Sequence, residues 1–369
     1  SHLGRRTGWG QNDWLPVLAP SRLREPAHRT HPKEAEDWDI RRIIGHYADA
    51  AERMQAGGMD GVEVEGYGHL FDQFLSPATN HRTDEWGGSE EARLRFPLEV
   101  LRAMRRRVGP DFILGVRMTL DERRSDGFAF ETGLAAIERF ADEGLIDFVN
   151  VIRGHIADDV ALTDVIPIHG MAAAPHLDFA GTVRARTRLA VFHAGKVDDV
   201  ATARHAIREG MVDMIGMTRA HLADPHLVRK IELGVEHTIR PCVGATYCLD
   251  RIYQSGEALC IHNAATGREL RMPHIVEPAA QQRNVVVIGA GPGGLEAARV
   301  CAERGHRVTV LEAMPWAGGQ VRLAARNHRR RDLVGIIEWR LAELDRLGVE
   351  VRYDTYADAE LIQIGRAHV

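Results

Sequence analysis

At 369 residues, with 44% apolar and 27% charged side chains, the chain suits one large globular domain plus part of another. Its net charge of −5, from 47 basic and 52 acidic residues, argues against nucleic acid or an anionic membrane surface as a partner. No apolar stretch approaches the roughly 18 residues of a membrane span, and no signal peptide opens the chain. Four cysteines make no disulfide framework, so a cytoplasmic location is expected.

The opening residues, Ser1-His2-Leu3-Gly4-Arg5-Arg6, read as interior sequence, so a clipped start is expected. From about Ile40 short apolar strands alternate with amphipathic helices. The strands are expected at 61–64, 112–116, 148–152, 189–192 and 212–215, and helices at 91–108, 131–143, 200–209 and 225–233. Repeated strand-then-helix units of this length imply a parallel sheet. No glycine-rich phosphate loop interrupts them, which favours a (β/α)₈ barrel over a doubly wound sheet. Five strands are legible, so the barrel is expected to lack its N-terminal units. Irregular sequence over 238–282 then holds three of the cysteines. A buried-strand pattern at 285–288 opens a second domain, with a helix at 295–304 and a strand at 307–311. The run Arg329-Arg330-Arg331 reads as a solvated helix start. The expected plan is α/β: a truncated TIM barrel over 1–237, a cysteine linker over 238–282, and the start of a Rossmann-type dinucleotide-binding domain over 283–363. Residues 364–369 are expected to be a non-native tail, a translated adapter.

The strongest local motif is Gly289-Ala290-Gly291-Pro292-Gly293-Gly294, set between a strand and a helix. Gly289 allows the tight turn, Gly291 lets the backbone approach a pyrophosphate, and Gly294 permits close helix–strand packing. Glu312, roughly 20 residues beyond, stands where an acid meets an adenosine ribose. The loop therefore predicts an ADP moiety, carried by ADP, FAD or NAD(P). Gly318-Gly319-Gln320 adds a second glycine turn. In the barrel the informative residues stand at the C-terminal ends of strands, where barrel active sites form. Arg117 is expected at one such end and His155 just past the next. Ala194, Gly195, Gly216 and Arg219 at the last two ends suit a phosphate, since glycines expose N–H groups and arginine supplies charge.

The stretch 57–96 contains Asp60-Gly61-Val62-Glu63-Val64, Gln73-Phe74-Leu75-Ser76-Pro77 and Asn80-His81-Arg82-Thr83-Asp84-Glu85-Trp86-Gly87-Gly88-Ser89. It resembles the Old Yellow Enzyme superfamily, in the branch of trimethylamine dehydrogenase and 2,4-dienoyl-CoA reductase. The resemblance implies FMN in the barrel, a 4Fe–4S cluster after it, and a C-terminal unit for ADP or FAD. It places Arg117 near the flavin N1–C2 carbonyl and Gly195 and Arg219 in the phosphate site, which Asp224-Pro225 closes. It makes Cys242, Cys248 and Cys260 candidate cluster ligands, with Ala245 where a fourth thiolate belongs. A three-iron cluster, a cluster with a non-cysteine ligand and no cluster all stay open. On the substrate side His69 takes the position of a proton-donating tyrosine, Tyr67 that of a substrate-binding histidine or asparagine, and His155 that of an active-site carboxylate. The wording Glu65-Gly66-Tyr67-Gly68-His69-Leu70 and Val151-Ile152-Arg153-Gly154-His155 is most similar to the dimethylglycine and N-methylproline demethylases of that branch. The implied reaction is oxidative N-demethylation of an N-methylated amino acid by hydride transfer to flavin, with Arg153 a candidate for the substrate carboxylate. The alternatives are an NAD(P)H-dependent enoate or 2,4-dienoyl-CoA reductase, or a non-catalytic flavin-binding subunit. Expected partners are a small-molecule substrate and, as open options, an electron-transfer protein and a second copy of the chain. The fragment by itself is expected to be inactive.

Overall fold

The computed structural model describes residues 17–26, 31–254 and 256–364. The readings made of Ser1 to Arg6 and of the last five residues fall outside that set. The chain divides into two compact units, one ending at Met217 and the other beginning at Thr218, with Ile168–Met171 joining the second.

In the first unit β1 (Leu18–Ala19) pairs in parallel with β2 (Lys33–Glu34). There follow α1 (Asp37–Ala56), β3 (Gly61–Gly66), α2 (Leu70–Leu75), α3 (Glu90–Val108), β4 (Ile113–Asp121) and α4 (Phe130–Asp142). Then come β5 (Phe148–Arg153), α5 (Asp159–Val165), α6 (Leu177–Arg184), β6 (Ala190–His193), α7 (Val200–Arg208) and β7 (Met214–Ile215). Strands β3 to β7 form one parallel sheet in sequence order, the arrangement of consecutive βα units of a (β/α)₈ barrel. Register explains the layering: Val64, Val116, Val149 and Val191 align across four strands and are buried in the core beneath the helices. The row one residue further along, Glu65, Arg117, Asn150, Phe192 and Met214, points to the other face. There Phe148 and Phe192 stack at 4.4 Å. Gly115 makes room for that stack, since a Cβ on it would lie 2.0 Å from the Phe148 ring.

Helix ends follow local chemistry. Ser89, Asp158 and Asp199 each accept a backbone N–H at the start of α3, α5 and α7, contacts that typically contribute about 1 kcal/mol apiece. Helix α3 also carries Glu90 and Glu91 in its first turn and Arg105 to Arg107 in its last, which suits the helix dipole.

The second unit runs through α8 (Thr218–Ala223), α9 (Leu227–Glu232), α10 (Tyr247–Tyr253), β8 (Asn284–Ile288), α11 (Pro292–Glu303) and β9 (Arg307–Leu311). It continues with α12 (Gly319–Ala325), α13 (Gly335–Arg346), β10 (Glu350–Arg352) and α14 (Ala359–Ile364). Strands β10, β9 and β8 form a parallel sheet, and Ala290, Leu295, Val310 and Ile337 anchor the core between sheet and helices. Arg329 to Arg331 lie exposed on a 3₁₀ turn, His328–Val334, that leads into α13. No described helix is long and apolar enough to cross a membrane.

Candidate active site and cofactor sites

Strand β4 runs four residues beyond Arg117, so that arginine stands mid-strand on the inner face and not at a strand end. The alternation that buries Met118 and Leu120 prolongs the strand, and a register shift between Thr119 and Asp121 sets Asp121 opposite Arg153 of β5. The Arg117 guanidinium lies 4.9 Å over the Tyr67 ring, and its buried Nε has no hydrogen-bond partner. A half-buried cation with one unmet donor suits an electron-rich group of a ligand.

Tyr67 and His69 follow β3 and are both buried, their rings 6.1 Å apart edge to face. His69 is the N-cap of α2, and its Nδ1 lies 2.8 Å from the Tyr67 carbonyl. The structure thus gives His69 a local architectural role. Gly68 between them has φ +69, and a Cβ there would lie 2.0 Å from the Ile156 side chain. Glycine at 68 thereby lets the β3 end meet the segment that carries His155.

His155 and Gly68 line one cavity of about 30 Å³, room for one or two waters. The other walls include Asp72, Ser76, Glu122 and Arg124. Burial, and then the Arg124 charge, hold the His155 imidazole below its usual pKa, so the ring is neutral at pH 7. Its Nδ1 accepts the Ala157 N–H at 3.2 Å, which leaves the ring proton on Nε2. Burial pushes the Asp72 and Glu122 carboxyls upward, although Asp72 accepts the Gly68 and His69 N–H groups and Glu122 accepts Ser76 Oγ–H at 2.7 Å. Sequence reasoning missed Asp72, Glu122 and Arg124, because the cavity exists only where the ends of β3, β4 and β5 converge. Arg153 is already matched: its Nε meets Asp121 at 3.1 Å and its guanidinium lies 4.7 Å over Phe179.

At the later strand ends Ala194 and Gly195 follow β6 and Gly216 follows β7. A Cβ on Gly216 would sit 2.7 Å from Ala194 Cβ, so glycine permits the two ends to close up. Gly195 lies against the buried His193, whose Nδ1 donates to Val151 O at 2.9 Å and whose Nε2 has no partner. Arg219 comes three residues after Gly216, in α8 of the second unit.

The glycine loop of the second unit has the required shape. Gly289 has φ +89, a Cβ on Gly294 would lie 2.0 Å from Gly289 O, and a Cβ on Gly291 would meet nothing within 4 Å. The loop thus packs tightly where helix meets strand and stays open where a pyrophosphate would approach. Glu312 accepts the N–H groups of Ala290 at 2.7 Å and Met314 at 2.9 Å, and Gly318 N–H donates to Ala290 O at 2.8 Å.

Cys242, Cys248 and Cys260 are half-buried thiols. Among the described residues no group of three or more His, Cys, Asp or Glu is placed to hold a metal ion. Burial holds the Cys248 thiol above its usual pKa. Ala245 packs against the apolar core of the unit.

The sequence profile of the NADH:flavin oxidoreductase / NADH oxidase family matches residues 11–238. The chain belongs to that family. A profile of FAD dependent oxidoreductases matches 284–329, the glycine-loop segment. Within this flavin oxidoreductase family a probable N-methylproline demethylase of Rhizobium meliloti (strain 1021) is 61% identical over 98% of this chain and 54% of its own length. The multifunctional alkene reductase/demethylase OYE of Caballeronia cordobensis is 48% identical over 97% of this chain and 52% of its own. An N,N-dimethylglycine/sarcosine dehydrogenase of Chromohalobacter salexigens is 45% identical, covering 98% and 53%. The chain thus spans about half the length of the curated relatives it matches. Among solved structures, histamine dehydrogenase from Rhizobium sp. 4-9 matches with a TM-score of 0.86 at 28% identity, over 96% of this chain and 52% of that one. A 2-naphthoyl-CoA reductase matches with a TM-score of 0.88 at 28% identity, covering 95% and 53%. These likenesses place the family member in the branch of the Old Yellow Enzyme superfamily that the sequence motifs indicated.

Proposed function

We propose that this chain forms the FMN-bearing, amine-handling part of an oxidative N-demethylase acting on N-methylated amino acids. The carrying observation is His155, held neutral on the wall of a cavity it shares with Gly68. The 61% and 45% identical relatives, named for N-methylproline and N,N-dimethylglycine, support the substrate class.

The residues present fit FMN: Arg117 offers a buried Nε without a partner, and Gly195 and Gly216 line strand ends that a larger residue at 216 would crowd. Arg117 would face the flavin N1–C2 carbonyl. Ala194, Gly195 and Gly216 would receive the phosphate. Bound FMN supplies the acceptor for a hydride.

N-methyl amino acids are mostly ammonium ions at neutral pH, whereas hydride loss from the N-methyl carbon needs the nitrogen lone pair. His155 takes the ammonium proton by way of water in its small cavity, giving up the Ala157 N–H bond at Nδ1 as it becomes imidazolium. Tyr67 and His69 shape the adjoining wall. The resulting iminium is hydrolysed to formaldehyde and the demethylated amine. A substrate carboxylate would replace Asp121 on Arg153, an exchange of like for like. In the second unit Gly289, Gly291, Gly294 and Glu312 would hold the ADP part of a dinucleotide. Cys242, Cys248 and Cys260 would be the ligands of an iron–sulfur cluster, one with three irons or with a non-cysteine fourth ligand. We assign the barrel to 1–237, the linker to 238–282 and the dinucleotide domain to 283–363, with the electron acceptor a partner protein or a bound carrier.

His155→Asn should slow flavin reduction by about 10²–10⁴-fold and flatten the acidic limb of its pH profile. Stopped-flow reduction with N-methylproline measures both; unaltered rates and an unaltered limb would make His155 structural. A second reading, an NAD(P)H-dependent alkene reductase, is favoured by the 48% identical relative named for both activities. The burial of Tyr67 and the capping role of His69 count against an enone proton donor there.

A further inference from the structure

The second unit contains a cavity of about 620 Å³ that the proposed chemistry does not use. That volume falls among small-molecule sites, which run to roughly 300–1,000 Å³. Its walls come from α11 and from residues 263–277, with Arg240 beside them. Met272, Ile275, Val276 and Val300 supply apolar surface. The charged lining is lopsided: Arg240, Arg271, Arg299 and Arg304 outnumber Glu277 and Glu296.

The deficit of negative charge centres on Arg240. Glu296 is already claimed by Arg299 Nη2 at 2.7 Å and Arg340 Nε at 2.8 Å, and Arg299 takes Glu303 as well at 2.8 Å. Arg240 reaches no closer to Glu296 than 4.0 Å. Its side chain is only 12% exposed, stacked 4.3 Å over Trp339, and its buried Nε has no hydrogen-bond partner. Glu296 and, more weakly, Asp224 act on it with opposite charge, and Arg299 and Arg340 set like charge against them. A guanidinium desolvated this far is costly unless an anion meets it. A second hollow of about 550 Å³ also has Arg240 and Arg299 on its wall, so the group borders open space twice.

We propose that the cavity on α11 binds an organic carboxylate with an apolar body, its carboxylate received by Arg240. The planar guanidinium fork matches a carboxylate in two parallel bonds, and the aliphatic wall receives the rest of the molecule. The assignment does not depend on the demethylase reading.

The test is calorimetric titration of the FMN-loaded protein with octanoate, in parallel with Arg240→Gln and Ala297→Phe. Ala297 lines the cavity from an exposed position on α11, so a phenylalanine there fills the space without entering the core. Saturable binding is expected in the parent protein, weakened roughly tenfold or more in each variant, with inorganic phosphate a much poorer ligand. Failure of octanoate to saturate, or equal affinity in Ala297→Phe, would overturn the site. Phosphate binding as tightly as octanoate would overturn the apolar body. Should Arg240→Gln fail to fold, Ala297→Phe decides alone.

Discussion

His193 shows how one buried ring couples strand packing to pH. It sits at the end of β6, 2% exposed, and burial depresses its pKa from 6.5 to about 4. Since the folded value lies below the unfolded one, the unfolded chain binds the extra proton between those limits. Stability is therefore full above about pH 6.5 and is lost as pH falls towards 4. A shift of that size is worth on the order of 3 kcal/mol, a large share of the roughly 5–15 kcal/mol of a typical domain. His262, depressed to about 3, acts in the same direction. Asp72 and Glu122 act oppositely: their raised values make the folded state bind protons more tightly, so their contribution fades as pH rises through the folded values. His193→Asn keeps a donor for Val151 O and removes the titration. Urea midpoints between pH 7 and 4 should then fall less steeply than in the parent; an unchanged slope would mean that His193 does not titrate in that window.

At the scale of elements, the glycine loop separates packing from binding within a few residues. Gly294→Ala places a Cβ 2.0 Å from Gly289 O, so α11 and β8 must part, a strain that typically costs about 1–3 kcal/mol. Gly291→Ala meets nothing and should leave the melting temperature nearly unchanged, yet weaken ADP binding by standing where the pyrophosphate approaches. Thermal melts and ADP titrations of the two variants check this; equal destabilisation of both would contradict the geometry. This loop was legible because its chemistry is local, a fixed spacing between strand, turn and helix. The valine rows of β3 to β6 were legible for the same reason. The far half of β4 was not: Arg117, Thr119 and Asp121 interrupt its apolar run, and those polar side chains masked four further residues of strand. Short helices α2, α5 and α6 carry too few turns for a period to show, and β1 and β2 are two residues each. The surroundings of His155 were hidden for a different reason, since Asp72, Glu122 and Arg124 meet it only through folding.

At the scale of the molecule, two units of different chemistry share one chain: a parallel sheet with an arginine and aromatic inner face, and a dinucleotide-type sheet with its glycine loop. Within the flavin oxidoreductase family, the direction of electron flow separates the two readings. A demethylase delivers electrons from an N-methyl carbon into the flavin, whereas an alkene reductase takes them from NAD(P)H and passes them to a double bond. The most direct measurement is anaerobic mixing of full-length, FMN-loaded protein with N-methylproline or dimethylglycine, following flavin bleaching and formaldehyde release. The amine is expected to bleach the flavin and yield one formaldehyde per flavin reduced, while NADH with an enone turns over slowly or not at all. Flavin that stays oxidised with both amines yet cycles rapidly between NADH and an enone would contradict it.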